Sequence, residues 1–193
     1  MTRGIPYKKR GICNMKKVLI VSSSLRAGSN SEILAEECLK GALAAGNKAE
    51  LISLKGKNIK FCIGCLSCQK TGKCVIQDDV PEIMEKVKNA DVLVFATPIY
   101  YYEMSGQLKT LLDRLNPLYS SDYKFREVYM IATAAEDGDA TFDYAYGGLT
   151  GWADCFMKAK LKGIVTGGGL EDAKEAIADK AALKQAYELG KNL

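Results

Sequence analysis

Apolar residues in this chain fall into two alternating patterns: short unbroken runs and longer stretches of helical period. VLIV at 18–21 is four aliphatics in a row bounded by turn residues, which predicts a buried strand. The stretch 29–46, SNSEILAEECLKGALAAG, follows directly and places Ile33, Leu34, Cys38, Leu39, Ala42 and Leu43 on one helical stripe. Ser29 and Glu32 have capping-box spacing, which sets the helix start near Asn30. The same alternation repeats, with strands expected over 47–54, 91–97, 127–133 and 161–166. A helix opens behind Asp79 as N-cap, with Pro81 in its first turn. Another covers 105–115 with Leu108, Leu111, Leu112 and Leu115 on one side; further helices are read over 142–160 and from Glu171 onward.

Five strands alternating with helices predict an α/β fold: a three-layer sandwich whose five-stranded parallel sheet carries helices on both faces, in a single domain. Ligands of such sheets sit at the carboxyl ends of the strands, near the reversal of strand order. The loops SSSLRAGSN, PIYYYEM and AAEDGDA should therefore converge. The first aims a helix N-terminus, several hydroxyls and Arg26 at one point, a combination that suits an anion. It has neither G-x-x-x-x-G-K-[ST] nor G-x-G-x-x-G, so a nucleotide-triphosphate loop and the dinucleotide fingerprint are excluded. One terminal phosphate monoester fits it; so does a connection whose polar residues only solvate a turn. The second loop, after Pro98 as turn residue, offers Tyr100, Tyr101 and Tyr102 as walls for a flat ligand or as packing and interface residues. The third brings small residues that let a ligand approach the backbone.

Charge changes this picture little. The net +4 comes from six basic residues and no acids in residues 1–17, which leaves 21 basic against 23 acidic in the rest. Nucleic-acid binding gains no support from that balance. Residues 1–14 read as a disordered basic extension outside the fold proper, which is taken as 15–193. No signal-like or membrane-length apolar run occurs, so a cytoplasmic, non-membrane protein is expected. Histidine is absent, which excludes imidazole acid–base chemistry and His-ligated metals.

Cysteine alters the reading more. Four of the seven stand in the loop 61–76 as Cys62, Cys65, Cys68 and Cys74, spaced C-x2-C-x2-C-x5-C. In a reducing compartment such crowding marks a metal or redox site. Three thiolates within seven residues can wrap one face of a metal centre and a fourth can close it. A zinc site more often uses two separated knuckles. Gly64 and Gly72 supply the backbone freedom such a wrap needs. Cys38 and Cys155 are expected in the core; Cys13 carries no role.

SSSLRAGSNS resembles the G-S-x-R-x-x-S-N-[ST] signature of the NADPH-dependent FMN reductase family in the flavodoxin-like superfamily, with Ser23 where that family usually has Gly. TPIYYYEMSGQLKTLLDR is similar to the family's second FMN loop and following helix. The resemblance implies that Ser24, Arg26, Ser29, Asn30 and Ser31 hold the FMN phosphate. It also implies that Pro98, Ile99, Tyr100 and Tyr101 flank the isoalloxazine, and that Thr133 and Ala134 line its far side. The cysteine run resembles the iron–sulfur flavoprotein branch, which implies a 4Fe-4S cluster on Cys62, Cys65, Cys68 and Cys74. The implied activity is NAD(P)H-dependent reduction of a flavin, quinone or other small acceptor, with no side-chain catalytic residue. The competing readings are electron transfer between a protein donor such as ferredoxin and FMN, and a non-catalytic metal or redox sensor. A homodimer or higher oligomer is also implied.

Overall fold

The computed structural model describes residues 15–193; the expectations for the extension 1–14 and for Cys13 lie outside the described residues. Five parallel strands, β1 (Lys17–Ser22), β2 (Lys48–Ser53), β3 (Val92–Tyr100), β5 (Glu127–Thr133) and β6 (Lys160–Gly167), form a sheet in the order β2-β1-β3-β5-β6. A two-residue strand, β4 (Glu103–Met104), pairs antiparallel with the end of β3. Strand order reverses between β1 and β3, and the flavodoxin-like three-layer fold follows.

Alternation along β1 divides the core. Val18 and Ile20 pack with α1 (Asn30–Ala44) and α6 (Lys180–Asn192); Leu19 and Val21 face α3 (Val80–Asn89), α4 (Gly106–Arg114) and α5 (Asp143–Asp154). The first layer is unusually close. A Cβ on Gly41 would stand 2.0 Å from the Tyr187 carbonyl oxygen, and one on Gly190 1.9 Å from that of Cys38. α1 and α6 touch backbone to backbone there, which only glycine permits.

The structure departs from the sequence reading at six places. β3 does not stop at 97: it runs through Pro98 to Tyr100 and turns into β4. The helix read over 142–160 is confined to Asp143–Asp154, and the last helix starts at Lys180, after an irregular segment, not at Glu171. The Ser29–Glu32 capping box does not form, because the Ser29 hydroxyl pairs with that of Ser31 at 3.0 Å. Asp79 holds the N-cap position of α3 as expected, but its side chain makes no cap bond: its carboxylate accepts from the Asn58 N–H, and Asp78 accepts from Val80 N–H instead. Cys155 is exposed, although Cys38 is buried as expected; burial pushes the Cys38 thiol up to about 12.

Candidate functional site

Parallel register aligns the carboxyl ends of three neighbouring strands. Pro98 lies opposite Thr133, and Thr133 opposite Gly167, so β5 and β6 end at one level and β3 runs two residues past them into its hairpin. Below them the β1 loop is bonded to the start of α4. Ser23 N–H donates to the Ala96 carbonyl at 2.9 Å, and its hydroxyl lies 3.0 Å from that same oxygen and 2.8 Å from the Ser105 hydroxyl. Thr97 accepts the Ser105 N–H at 2.9 Å. The serine at 23 therefore has a structural use that glycine could not supply.

At the mouth of α1, Ser24, Ser29, Asn30 and Ser31 are all buried. No side chain caps the helix, which leaves its first-turn N–H groups without a side-chain acceptor. The Ser22 hydroxyl, on the sheet face that carries α1, is buried with no hydrogen-bond partner. Hydroxyls gathered at an uncapped helix N-terminus fit a phosphate monoester. Arg26 and Asn30 are placed differently. The Arg26 guanidinium donates to the Glu171 carbonyl at 2.7 Å and lies 3.6 Å from the Asp172 carboxylate. The Asn30 amide donates to the Leu170 and Asp172 carbonyls and accepts from Ala176 N–H. Both residues join the phosphate-side loop to the 170–176 segment, a connection that helical reading of the tail concealed.

The loop after β3 is a tight hairpin. Ile99 pairs with Met104 and Tyr100 with Glu103, so Tyr101 and Tyr102 occupy the two central turn positions with φ of 51° and 66°. Both are left-handed, as in the type I′ turns that usually take Asn-Gly. Tyrosine in that conformation costs about 1–2 kcal/mol per residue. Tyr101 is 99% exposed, while hydrogen bonding to Glu136, and then its charge, raise the Tyr102 phenol's pKa. Thr133 and Ala134 are buried beneath these loops, with the Ala134 carbonyl accepting Leu170 N–H.

The cysteine loop projects beside α4. Its stems are paired: Asp79 N–H donates to the Asn58 carbonyl, and Lys60 N–H to the Asp78 carboxylate. Arg114, 1% exposed, donates to both Asp78 oxygens at 2.5 and 3.1 Å and to the Lys60 carbonyl at 2.7 Å. Burial alone would raise the Asp78 pKa, but the Arg114, Lys60 and Val80 donors outweigh it and hold the carboxyl below its usual range. Within the loop, Gly64 and Gly72 take φ of 66° and 69° around a short helix, α2 (Ser67–Thr71). Cys62, Cys65, Cys68 and Cys74 line one small cavity with Ile63, Leu66, Val75 and Asn116.

A donor reaches one of those sulfurs: the Asn116 amide stands 3.2 Å from Cys68 Sγ. Hydrogen bonding by Ser67 lowers the Cys65 pKa. Among the described residues no three His, Cys, Asp or Glu side chains converge closely enough for one metal ion. Four thiols around a common space, one of them met by an amide N–H, fit a sulfur-ligated cluster better than a zinc ion with four sulfurs about 2.3 Å from one centre. Arg114 and Asn116 were not legible as site residues. Asn116 had no signal at all, whereas an arginine closing an apolar helix could have been suspected of a buried pair.

Comparisons with known proteins agree with this geometry. An iron–sulfur flavoprotein of Methanocaldococcus jannaschii is 43% identical over 102 residues, covering 53% of each chain; one of Archaeoglobus fulgidus is 35% identical, over 53% of this chain and 46% of its own. The chain spans about half the length of these curated relatives. A Bacillus subtilis protein, described as an NAD(P)H-dependent FMN-containing oxidoreductase, is 28% identical over 90% of this chain and 96% of its own. The fold is shared with the NAD(P)H:quinone oxidoreductase of Methanothermobacter marburgensis (TM-score 0.71, 18% identity, 92% and 96% coverage). Residues 16–145 match the family model for NADPH-dependent FMN reductase, and the chain belongs to that family.

Proposed function

We propose that this chain binds FMN non-covalently at the carboxyl edge of the sheet and passes electrons from NADH or NADPH to a small acceptor such as a flavin or quinone. The observation that carries this is the buried hydroxyl group at the uncapped start of α1, set across the sheet edge from an aromatic hairpin. Bound FMN would supply the hydride and single-electron chemistry. The chain's own residues bind and orient: Ser24, Ser29 and Ser31 with the α1 N-terminus receive the phosphate, and Pro98 to Tyr101 with Thr133 and Ala134 frame the ring. Arg26 supplies positive charge at the phosphate end while holding the 170–176 segment. No side-chain acid or base is needed, in keeping with a chain that lacks histidine.

The cysteine loop favours a second reading, in which a four-iron cluster on Cys62, Cys65, Cys68 and Cys74 exchanges electrons with FMN and a protein donor. Its surroundings support a protein partner. Lys55, Lys57, Lys60, Lys70 and Lys73 are all exposed, and no acid occurs between 51 and 77. Phe61 and Ile63 are 77% and 70% exposed among them. A basic rim with apolar tips complements an acidic carrier such as a ferredoxin.

A visible spectrum of anaerobically purified protein, with iron and sulfide assayed on the same sample, separates the two. Resolved flavin bands without iron, together with steady NADPH oxidation on adding acceptor, establish the small-acceptor reductase. Flavin bands over a broad shoulder, with about four iron and four sulfide per chain, establish the cluster. Reduction by a protein donor alone would then identify a carrier. Protein that binds no flavin overturns both.

A further inference from the structure

Of the four loop cysteines, only Cys68 is buried, at 8% exposure, so little water can reach its sulfur. The one residue outside the loop that lines the cysteine cavity is Asn116, and its amide nitrogen is the atom 3.2 Å from that sulfur. Asn116 opens the 3-10 turn Asn116–Ser120, directly behind Arg114 and Leu115 at the end of α4. Its position is therefore set by the buried Arg114–Asp78 pair and by Leu115 in the core, not by the mobility of its own side chain. A carboxamide in that place can offer sulfur only a donor, because its oxygen would face another lone pair.

We propose that Asn116 is a positioning residue for the cysteine centre, whose N–H is directed at Cys68 sulfur and makes the bound cluster easier to reduce. The proposal rests on the cluster reading above. The step it acts on is the entry of one electron into the cluster from a one-electron protein carrier, with no bond made or broken. The reduced cluster holds one more negative charge, part of it on the ligating sulfurs. A hydrogen bond to an ionised acceptor is stronger than one to a neutral group, so an N–H aimed at sulfur stabilises the reduced form more than the oxidised one. Hydrogen bonds to cluster sulfurs are among the levers that set cluster potentials. At an exposed ligand water could take that part; at Cys68 it is left to Asn116.

The test uses the full chain, reconstituted anaerobically with ferrous iron and sulfide, as wild type, Asn116→Leu and Asn116→Ser. Leucine keeps the volume without a donor; serine keeps a shorter donor. Iron and sulfide content, and potentiometric titration of cluster and flavin followed by electron paramagnetic resonance and absorbance, are read on each. The expected result is a cluster midpoint displaced to more negative potential in Asn116→Leu, an intermediate one in Asn116→Ser, and an unmoved flavin midpoint. A loaded Asn116→Leu protein with the wild-type cluster midpoint overturns the proposal. So does an equal shift of both centres, which would mark a general structural effect. If Asn116→Leu loses its iron, the serine variant decides: a wild-type midpoint overturns the proposal and a negative shift supports it. Wild-type protein that takes up no iron overturns the underlying cluster reading, and is recognised from the metal assay before any variant is compared.

Discussion

Arg114 and Asp78 pair through both carboxylate oxygens with their side chains sealed from solvent, and the same two residues hold both stems of the cysteine loop. Asp78 also starts α3, through Val80 N–H. One buried ion pair thus joins the end of α4, the base of the loop and the start of the next helix.

Removing one partner leaves the other charge buried. Arg114→Met is expected to destabilise the protein by about 3–5 kcal/mol, and Asp78→Asn by somewhat less because its amide can still accept from Lys60. The double variant should recover part of the loss. Urea unfolding of the three proteins measures the coupling; strictly additive effects would mean that the pair is not a unit.

The same pair sets an acid limit. Asp78 has a lower pKa folded than unfolded, so its contribution is complete above the ordinary aspartate range and fades as pH falls through the folded value. Stability of the wild type should drop on acidification more steeply than that of Asp78→Asn, and the two curves should approach each other at the acid end. Parallel curves between neutral pH and the onset of acid unfolding would contradict this.

The hairpin stores strain at the ring side of the site. Replacing Tyr101 by Asn and Tyr102 by Gly relieves two left-handed tyrosines and should stabilise the chain by about 1–2 kcal/mol per residue, less the lost Tyr102–Glu136 bond. Turnover or FMN affinity is expected to fall as stability rises. A variant that is both more stable and fully active would show that the tyrosines serve no ligand.

The proposed phosphate contacts can be weighed individually. Ser29→Ala or Ser31→Ala removes one neutral hydroxyl, worth about 0.5–1.5 kcal/mol, or roughly a 2- to 12-fold weaker FMN dissociation constant. Flavin fluorescence quenching on binding reads this directly. Ser121→Ala, whose hydroxyl bonds only to the local Leu118 carbonyl, is the control expected to leave affinity unchanged.

Gly190 has no room for a methyl group, since its Cβ would meet the Cys38 carbonyl oxygen at 1.9 Å. Gly190→Ala should push α6 away from α1 and lower the melting temperature, although alanine favours a helix in isolation. An unchanged or raised melting temperature would mean that the helices can separate freely.

Much of the fold was legible because strand runs such as VLIV and DVLVFAT carry their burial in their composition, and the strand-end rule then pointed to the candidate site. What escaped was tertiary. Tyr101 and Tyr102 have no turn propensity, so the β3–β4 hairpin exists against local preference and Pro98 was misread as its turn. Ser29 could have capped α1, yet Ser31 claims its hydroxyl. Asn30 and Arg26 looked free to bind an anion because the 170–176 segment they contact lies about 140 residues away in sequence and reads as helix. Cys155 sits at the end of α5, where a helical stripe no longer predicts burial.

α4 is preceded by Ser105, bonded to Ser23 and Thr97 under the carboxyl edge of the sheet, and ends at Arg114, which grips the cysteine loop. Its nine residues are a strut about 13–14 Å long, buried along Leu108, Leu111 and Leu112. Two loops that differ in sequence and exposure are thereby held at a distance that neither loop determines. In the electron transfer proposed between them, the gap would be measured out by the turns of one rigid helix, so motion in either loop would change access from outside far more than the length of the inner jump.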